Sequence, residues 1–250
     1  MRFTKRVALA LLSATILSLP VTTTAQEPTG HLLSIIEMHV KAGHNDPFQA
    51  GIAAWKECYL AQKGERGWNT WQRQHGQGNV YVAAFLLKDW AALDTPHEAG
   101  QKCQSVVMEQ ITPHVHPEKG SSSYAKLVPA ISRNAPVSDV IWVNNFRADD
   151  TRLMMSTIEQ IVGAMTEAEG QPRGFWYSVQ GGDAASANYF VVTPFENFAA
   201  LDDTRAGVWE VVAKVRGEAE SERLRADFRT SLDDSWAYLY RRVPELSHNP

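Results

Sequence analysis

The sequence predicts an α+β protein built from two consecutive copies of a βαββαβ unit, packed sheet to sheet. Three observations predict it. The stretch Ile35 to Gly43 occurs twice, because His39-Val40-Lys41-Ala42 returns in substituted form as Asn145-Phe146-Arg147-Ala148. In the helix pattern that follows, Phe48, Ile52, Trp55 and Tyr59 match Met154, Ile158, Ile161 and Met165 at the same offset without a gap. Later segments also correspond: Trp90-Ala91-Ala92-Leu93-Asp94 returns as Phe198-Ala199-Ala200-Leu201-Asp202, and Tyr124-Ala125-Lys126-Leu127 as Trp236-Ala237-Tyr238-Leu239. In a chain of 250 residues, a repeat of this length divides the protein into two small domains.

Leu32 to Lys41 is rich in β-branched and long apolar residues and reads as a strand. Gly43 ends it, and Asn45 or Asp46 caps a helix with Pro47 in its first turn, where a missing N–H costs nothing. Phe48, Ile52, Trp55 and Tyr59 mark one face of that helix, and Gly64 closes it. Trp68 to His75 and Asn79 to Leu87 form a hairpin around Gly76-Gln77-Gly78. A second helical region runs through Val106, Val107 and Ile111, and Ser123 to Ile131 is a fourth strand. This order is the ferredoxin-like plan. After the polar linker 133–138 it recurs: strand Asp139 to Arg147, helix Thr151 to Glu169, hairpin strands Arg173 to Gln180 and Ala187 to Phe195. A long helical stretch interrupted at Gly217 and a strand Ser235 to Arg242 complete it.

Each unit buries one sheet face under its helices and leaves the other open, which alone would be a costly apolar patch. Trp68, Trp71, Tyr81, Trp142, Trp176, Tyr177, Tyr189 and Trp236 all fall on strands, more aromatics than one face of each sheet needs. Packing the open faces together solves this and places a pocket between them.

Residues 1–25 read as a signal peptide. Arg2, Lys5 and Arg6 precede a short apolar run, Val7 to Leu19, and Thr23-Thr24-Ala25 offers small residues for cleavage before Gln26. The run is too short to span a bilayer, and no Cys stands near the cleavage site to carry a lipid. The expected domains are therefore 26–132 and 139–250, in a periplasmic or secreted protein with no membrane anchor. Loss of the leader leaves 21 basic against 28 acidic residues, a net charge of about −7, with no basic stripe. Nucleic acid is excluded as a partner on that ground. Cys58 lies late in the first helix and Cys103 early in the second, where the plan brings helix ends together. Export permits a disulfide between them; two separately buried thiols are the alternative.

Val40-Lys41-Ala42-Gly43-His44-Asn45-Asp46-Pro47-Phe48 resembles the opening of the dimeric α/β-barrel superfamily, which includes antibiotic-biosynthesis-monooxygenase-like and NIPSNAP-like domains. The resemblance covers Leu32 to Arg242. It implies two ferredoxin-like repeats packed as an intramolecular dimeric α/β barrel, monomeric as an internal pseudo-dimer, with a ligand cavity between the sheets. The superfamily holds haem-binding and haem-degrading proteins, cofactor-free oxygenases, isomerases and members without known activity. Haem-degrading members use an Asn, a Trp and a His on the second helix, where this chain offers only His97. Chlorite-dismutase-like relatives take their haem ligand from the later domain, which here has no His before His248. Haem is therefore not expected.

Candidate ligand-binding residues are Trp71, Tyr81, Trp142, Asn144, Trp176 and Tyr189. Among the polar strand residues Asn144, Asn145, Gln72, Arg73, Gln74, Gln180 and Asn188, alternation requires some to point between the sheets. The other reading is plain aromatic core, with the polar groups on outer edges. A transition metal is the sharper hypothesis. His39, His44, His75, His114 and His116 fall at one rim of the first repeat, near Glu37, Asp46 and Glu118. His39, His44, His114 and His116 are the candidate ligands, since imidazole with carboxylate suits zinc, copper or iron. Their spacing matches no metal signature, so scattered rim histidines are the alternative. Gly-x-Ser-x-Gly, phosphate-binding Gly loops, Rossmann fingerprints and His-Glu-x-x-His are absent. The expected function is binding of a small apolar or aromatic ligand between the sheets. The alternatives are a cofactor-independent or metal-assisted monooxygenase-like enzyme and a structural module with a filled core.

Overall fold

A computed structural model describes residues 31–134 and 138–249. The expected signal peptide lies outside the described residues, as do positions 135–137 of the expected linker.

The first half runs β1 (Leu32–Val40), α1 (Asn45–Ala61), β2 (Trp68–Arg73), β3 (Asn79–Leu87), α2 (Glu98–Lys102), α3 (Gln104–Val106) and β4 (Ser121–Leu127). The second runs β5 (Val140–Ala148), α4 (Thr151–Glu169), β6 (Phe175–Gly181), β7 (Tyr189–Phe195), α5 (Val208–Arg216), α6 (Glu218–Thr230) and β8 (Leu232–Arg242). The strands close into one antiparallel barrel in the order β1-β3-β2-β8-β5-β7-β6-β4. Two seams join the halves. Trp71 pairs with Arg242 and Arg73 with Tyr240 in one, and Leu127 pairs with Tyr177 in the other. Closure pairs every strand on both sides and leaves no edge.

Strand alternation sorts the side chains into an interior set and an outer set under the helices. On β1, Leu33, Ile35 and Glu37 face the interior, while Val40 packs outward with Phe48, Ile52, Tyr81 and Ile111 beneath α1. In the second half Met154, Ile158 and Val162 of α4 cover Phe146, Trp176 and Tyr189. Ile161, Met165, Val211, Val212 and Leu224 then knit α4 to α5 and α6.

Several elements differ from expectation for local reasons. β2 stops at Arg73, because the chain turns there and the His75 ring accepts a bond from the Leu239 N–H at 3.1 Å. β4 stops at Leu127, and Pro129, which lacks an N–H for the ladder, opens a 3-10 turn over Pro129–Ile131. The second helical region of the first half is not one helix. After α2 and α3 come a π turn, Val107–Ile111, and a 3-10 turn, Thr112–His114, containing Pro113. Gly51 of α1 lets these pieces approach: a Cβ there would stand 2.0 Å from the Gln110 carbonyl oxygen. In the second half the helices break at Gly217, whose φ of 92° favours glycine.

Cys58 and Cys103 form a disulfide with Cα atoms 5.9 Å apart, tying α1 to the α2–α3 junction. The C-terminal tail crosses back onto the first half. The Leu246 carbonyl accepts from Trp68 Nε1 at 2.8 Å and Thr70 Oγ1 at 2.9 Å, and Ser247 Oγ accepts from the Thr70 N–H at 2.9 Å. Among the described residues no helix is long and apolar enough to cross a membrane.

Candidate functional site

The barrel interior contains a cavity of about 1330 Å³ reached by residues of all eight strands. Its middle is apolar and aromatic: Trp71, Tyr177, Phe190, Val192 and Tyr240 line it, and Trp71, Ile141 and Tyr240 pack into a small core that narrows one side. Burial alone pushes the Tyr177 hydroxyl up to about 12. Tyr240 is pushed far up, mainly by burial and further by the Glu37 carboxylate, against an opposing pull from Arg73. Both phenols are therefore neutral donors at ordinary pH.

The end of the cavity formed by the C-terminal ends of β1, β2 and β5 is polar. Glu37, Arg73 and Asn145 line it. His39 Nε2 stands 2.8 Å from Glu37 Oε1, both half-buried. The Arg73 guanidinium lies over the Tyr238 ring, 4.4 Å from its centroid, and donates to the Gln77 carbonyl of the β2–β3 turn. The arrangement can hold a flat apolar body in the middle and a polar group at one end, where the Glu37 carboxylate orients the His39 ring.

Of the aromatic and amide candidates, Trp71 lines the cavity, 7% exposed. Tyr81 faces outward beneath α1, donating to Asn45 Oδ1 at 2.7 Å and accepting from Gln49 Nε2 at 2.6 Å. Burial, partly offset by these bonds, holds its hydroxyl above the usual range. Trp142 is on the outside of the barrel, 44% exposed, and Asn144 shares its parity on β5, whose interior positions are Ile141, Val143 and Asn145. Trp176 stacks on Phe146 at 5.6 Å beneath α4, with Tyr189 in the same cluster. Sequence reasoning missed the interior roles of Tyr238, Tyr240 and Phe190. Counting by twos from Trp71 through the β2–β8 seam would have reached the first two.

The histidines reach one rim but not one centre. His44 Nδ1 and His114 Nδ1 are 2.9 Å apart, His39 is engaged by Glu37, and His116 Nδ1 is 3.1 Å from Glu118 Oε1. His39 and His116 share a shallow cleft beside the cavity mouth. Among the described residues no group of three or more His, Cys, Asp or Glu side chains converges on a metal position. The candidate ligands His39, His44, His114 and His116 thus divide into separate contacts. The 3-10 turn at Thr112–His114 removes the extended geometry that would have put His114 and His116 on one side. His97 packs on Tyr59, its Nε2 3.1 Å from the hydroxyl, and is held below its ordinary value by burial and then by Arg66.

No protein-family model matches the chain, and no curated protein matches it. Solved structures do. A monooxygenase candidate from Lactobacillus acidophilus NCFM matches with a TM-score of 0.52 at 10% identity, over 85% of this chain and 93% of its own. An anthrone oxidase-like protein matches with a TM-score of 0.51 at 8% identity, over 85% and 91%. Chlorite dismutase from Candidatus Nitrospira defluvii, in complex with imidazole, matches with a TM-score of 0.53 at 9% identity, over 86% and 92%. At these identities the likeness is one of fold alone.

The expectation against haem is corrected by the chlorite dismutase likeness, which spans nearly the whole barrel. That expectation sought an axial histidine on the second helix of the first half, where only His97 stands, and in the second half, which has none before His248. Both halves share one interior, so a donor can come from any wall. The cavity of about 1330 Å³ has a largely apolar lining, and His31 is the imidazole among its lining residues.

Proposed function

We propose that this is an exported protein that binds a small apolar or aromatic ligand inside the barrel. The observation that carries this is the cavity of about 1330 Å³ with an aromatic waist and one polar end. A disulfide is in keeping with an oxidising compartment. The shared order of elements supports two ferredoxin-like repeats, 26–132 and 139–250, joined by 133–138, which already supply both walls within one chain and favour a monomer. Trp71 is the aromatic contact of the original candidate set that this reading retains.

The test is titration of purified protein with 2-naphthol, followed through tryptophan fluorescence, since Trp71 and Trp236 stand in the wall. Trp71→Ala should lose most of the binding, and Val192→Trp, which narrows the waist, should weaken it while unfolding stays cooperative. Unchanged affinity in Val192→Trp would refute the interior as the site. Export is checked separately, by an N-terminal sequence starting at Gln26 on protein from the exported fraction.

A second reading, cofactor-independent monooxygenase-like chemistry, is favoured by the His39–Glu37 pair at the cavity mouth, a positioned base with an orienting carboxylate. Oxygen consumption with phenolic substrates that His39→Ala leaves unchanged would eliminate it.

A further inference from the structure

Arg73 is the guanidinium at the polar end of the cavity. It sits at the end of β2 beneath the β2–β3 turn, fixed from two sides by the Gln77 carbonyl and the face of Tyr238. Gly76 completes the enclosure: a Cβ there would stand 3.2 Å from Tyr238 Cε1 and 3.6 Å from Arg73 Nε. Yet Arg73 Nε is buried without a hydrogen-bond partner among the described residues. No carboxylate of those residues forms an ion pair with the guanidinium. Of the carboxylates that line the cavity, Glu37 is taken by His39, and Glu65, Asp89 and Asp183 form no ion pair with Arg73. Lys119 and Asp183, of opposite sign, also line this end. A buried N–H without a partner, on a half-buried guanidinium at the edge of an aromatic cavity, is costly unless something arrives to pair with it.

We propose that the barrel takes aromatic carboxylates, with the ring in the waist between Trp71, Tyr177 and Phe190 and the carboxylate on Arg73. This rests on the reading that the interior is the ligand site. A guanidinium fork matches a planar carboxylate bidentately, and its stacking on Tyr238 pre-orients it, so little side-chain freedom is lost on binding. The chemistry selects a flat acid over the matching neutral alcohol, which offers no charge to Arg73.

The experiment compares 2-naphthoate with 2-naphthylmethanol by calorimetry on the full mature protein and on Arg73→Gln. The wild type should bind the acid about tenfold or more tightly than the alcohol, the range expected of a charge-assisted pair. Arg73→Gln should bring the two to parity while alcohol affinity holds, which also shows that the variant is folded. Arg73→Lys should retain part of the preference, and Glu37→Gln should tighten the acid by removing a like charge. If wild type binds both equally, or if Arg73→Gln keeps the preference, the assignment of Arg73 is overturned and the cavity reading stands. If neither compound binds, both fall. Should Arg73→Gln fail to fold, the wild-type preference together with the opposite shifts in Arg73→Lys and Glu37→Gln decides the matter; their absence refutes the assignment.

Discussion

The two halves of the barrel present the same strand order to the interior but cover their outer faces differently. In the second half α4 is a continuous helix of 19 residues, capped by the Asp150 side chain on the Leu153 N–H at 2.9 Å. It packs against α5 and α6 through Ile161, Met165, Val212 and Leu224. In the first half α1 faces a chain of short pieces, none of which buries much by itself. That half gains a disulfide at Cys58–Cys103 and a C-terminal strap across Trp68 and Thr70. The contrast teaches that a helical layer too broken to bury a sheet face can be replaced by a covalent tie and borrowed chain, while the sheet beneath stays the same.

The largest expected effect is on that tie. Cys58→Ser with Cys103→Ser opens a loop of 45 residues and should cost about 4 kcal/mol on the loop-entropy account. Denaturant unfolding measures it, and hydrogen exchange should place the loss in α1 and β2 with α4 nearly untouched. Equal loosening of α4 would show that the halves are one cooperative unit and dissolve the contrast. Removing residues 244–250 should cost about 3 kcal/mol, because Trp68 Nε1 and Thr70 Oγ1 lose their buried acceptor and Leu246 its burial. The faster exchange should appear in β2, in the other half from the deleted chain's own strand.

Smaller effects probe the second half. Gly217→Ala meets no atom within 4 Å, so its cost is that of the backbone alone, φ 92° and ψ 156°, a region essentially reserved to glycine, about 2 kcal/mol. A thermal melt showing no loss would mean that the α5–α6 break is not fixed by that residue. The smallest is the pH response of Tyr177. Its folded value is raised to about 12, so its contribution to stability is fully present below the ordinary value of 10.0 and is lost as pH rises through about 12. Tyr177→Phe should flatten the decline of stability above pH 10, read by urea unfolding across the alkaline range, and should delete one late-titrating phenol from the absorbance titration.

Element type was legible in the sequence wherever a period was strong. The helix Thr151–Glu169 and the strand Asn79–Leu87 were read to the residue, since long apolar periods and flanking turns leave little choice. The broken region Glu98 to His114 was not, because the close approach that Gly51 permits and the disulfide decide its path, and neither is a local property. The candidate site was less legible. Trp142, Asn144, Trp176, Tyr189 and Tyr81 carry the residue types of a pocket but stand on the outer parity. In a barrel clothed by helices both faces of every strand are partly apolar, so composition does not mark which face is inside.

By itself, the sequence determined the alternation of strand and helix, the supply of aromatics and the presence of Arg73, Glu37 and the rim histidines. Those depend on period and spacing along the chain. Tertiary structure alone decided which aromatics face the cavity, that the histidines divide into separate pairs, and that Arg73 Nε is buried without a partner among the described residues. Strand parity in a closed barrel is set by register across the β2–β8 and β4–β6 seams. A shift of one residue there would turn every side chain to the other side, and no local pattern in this chain records that register.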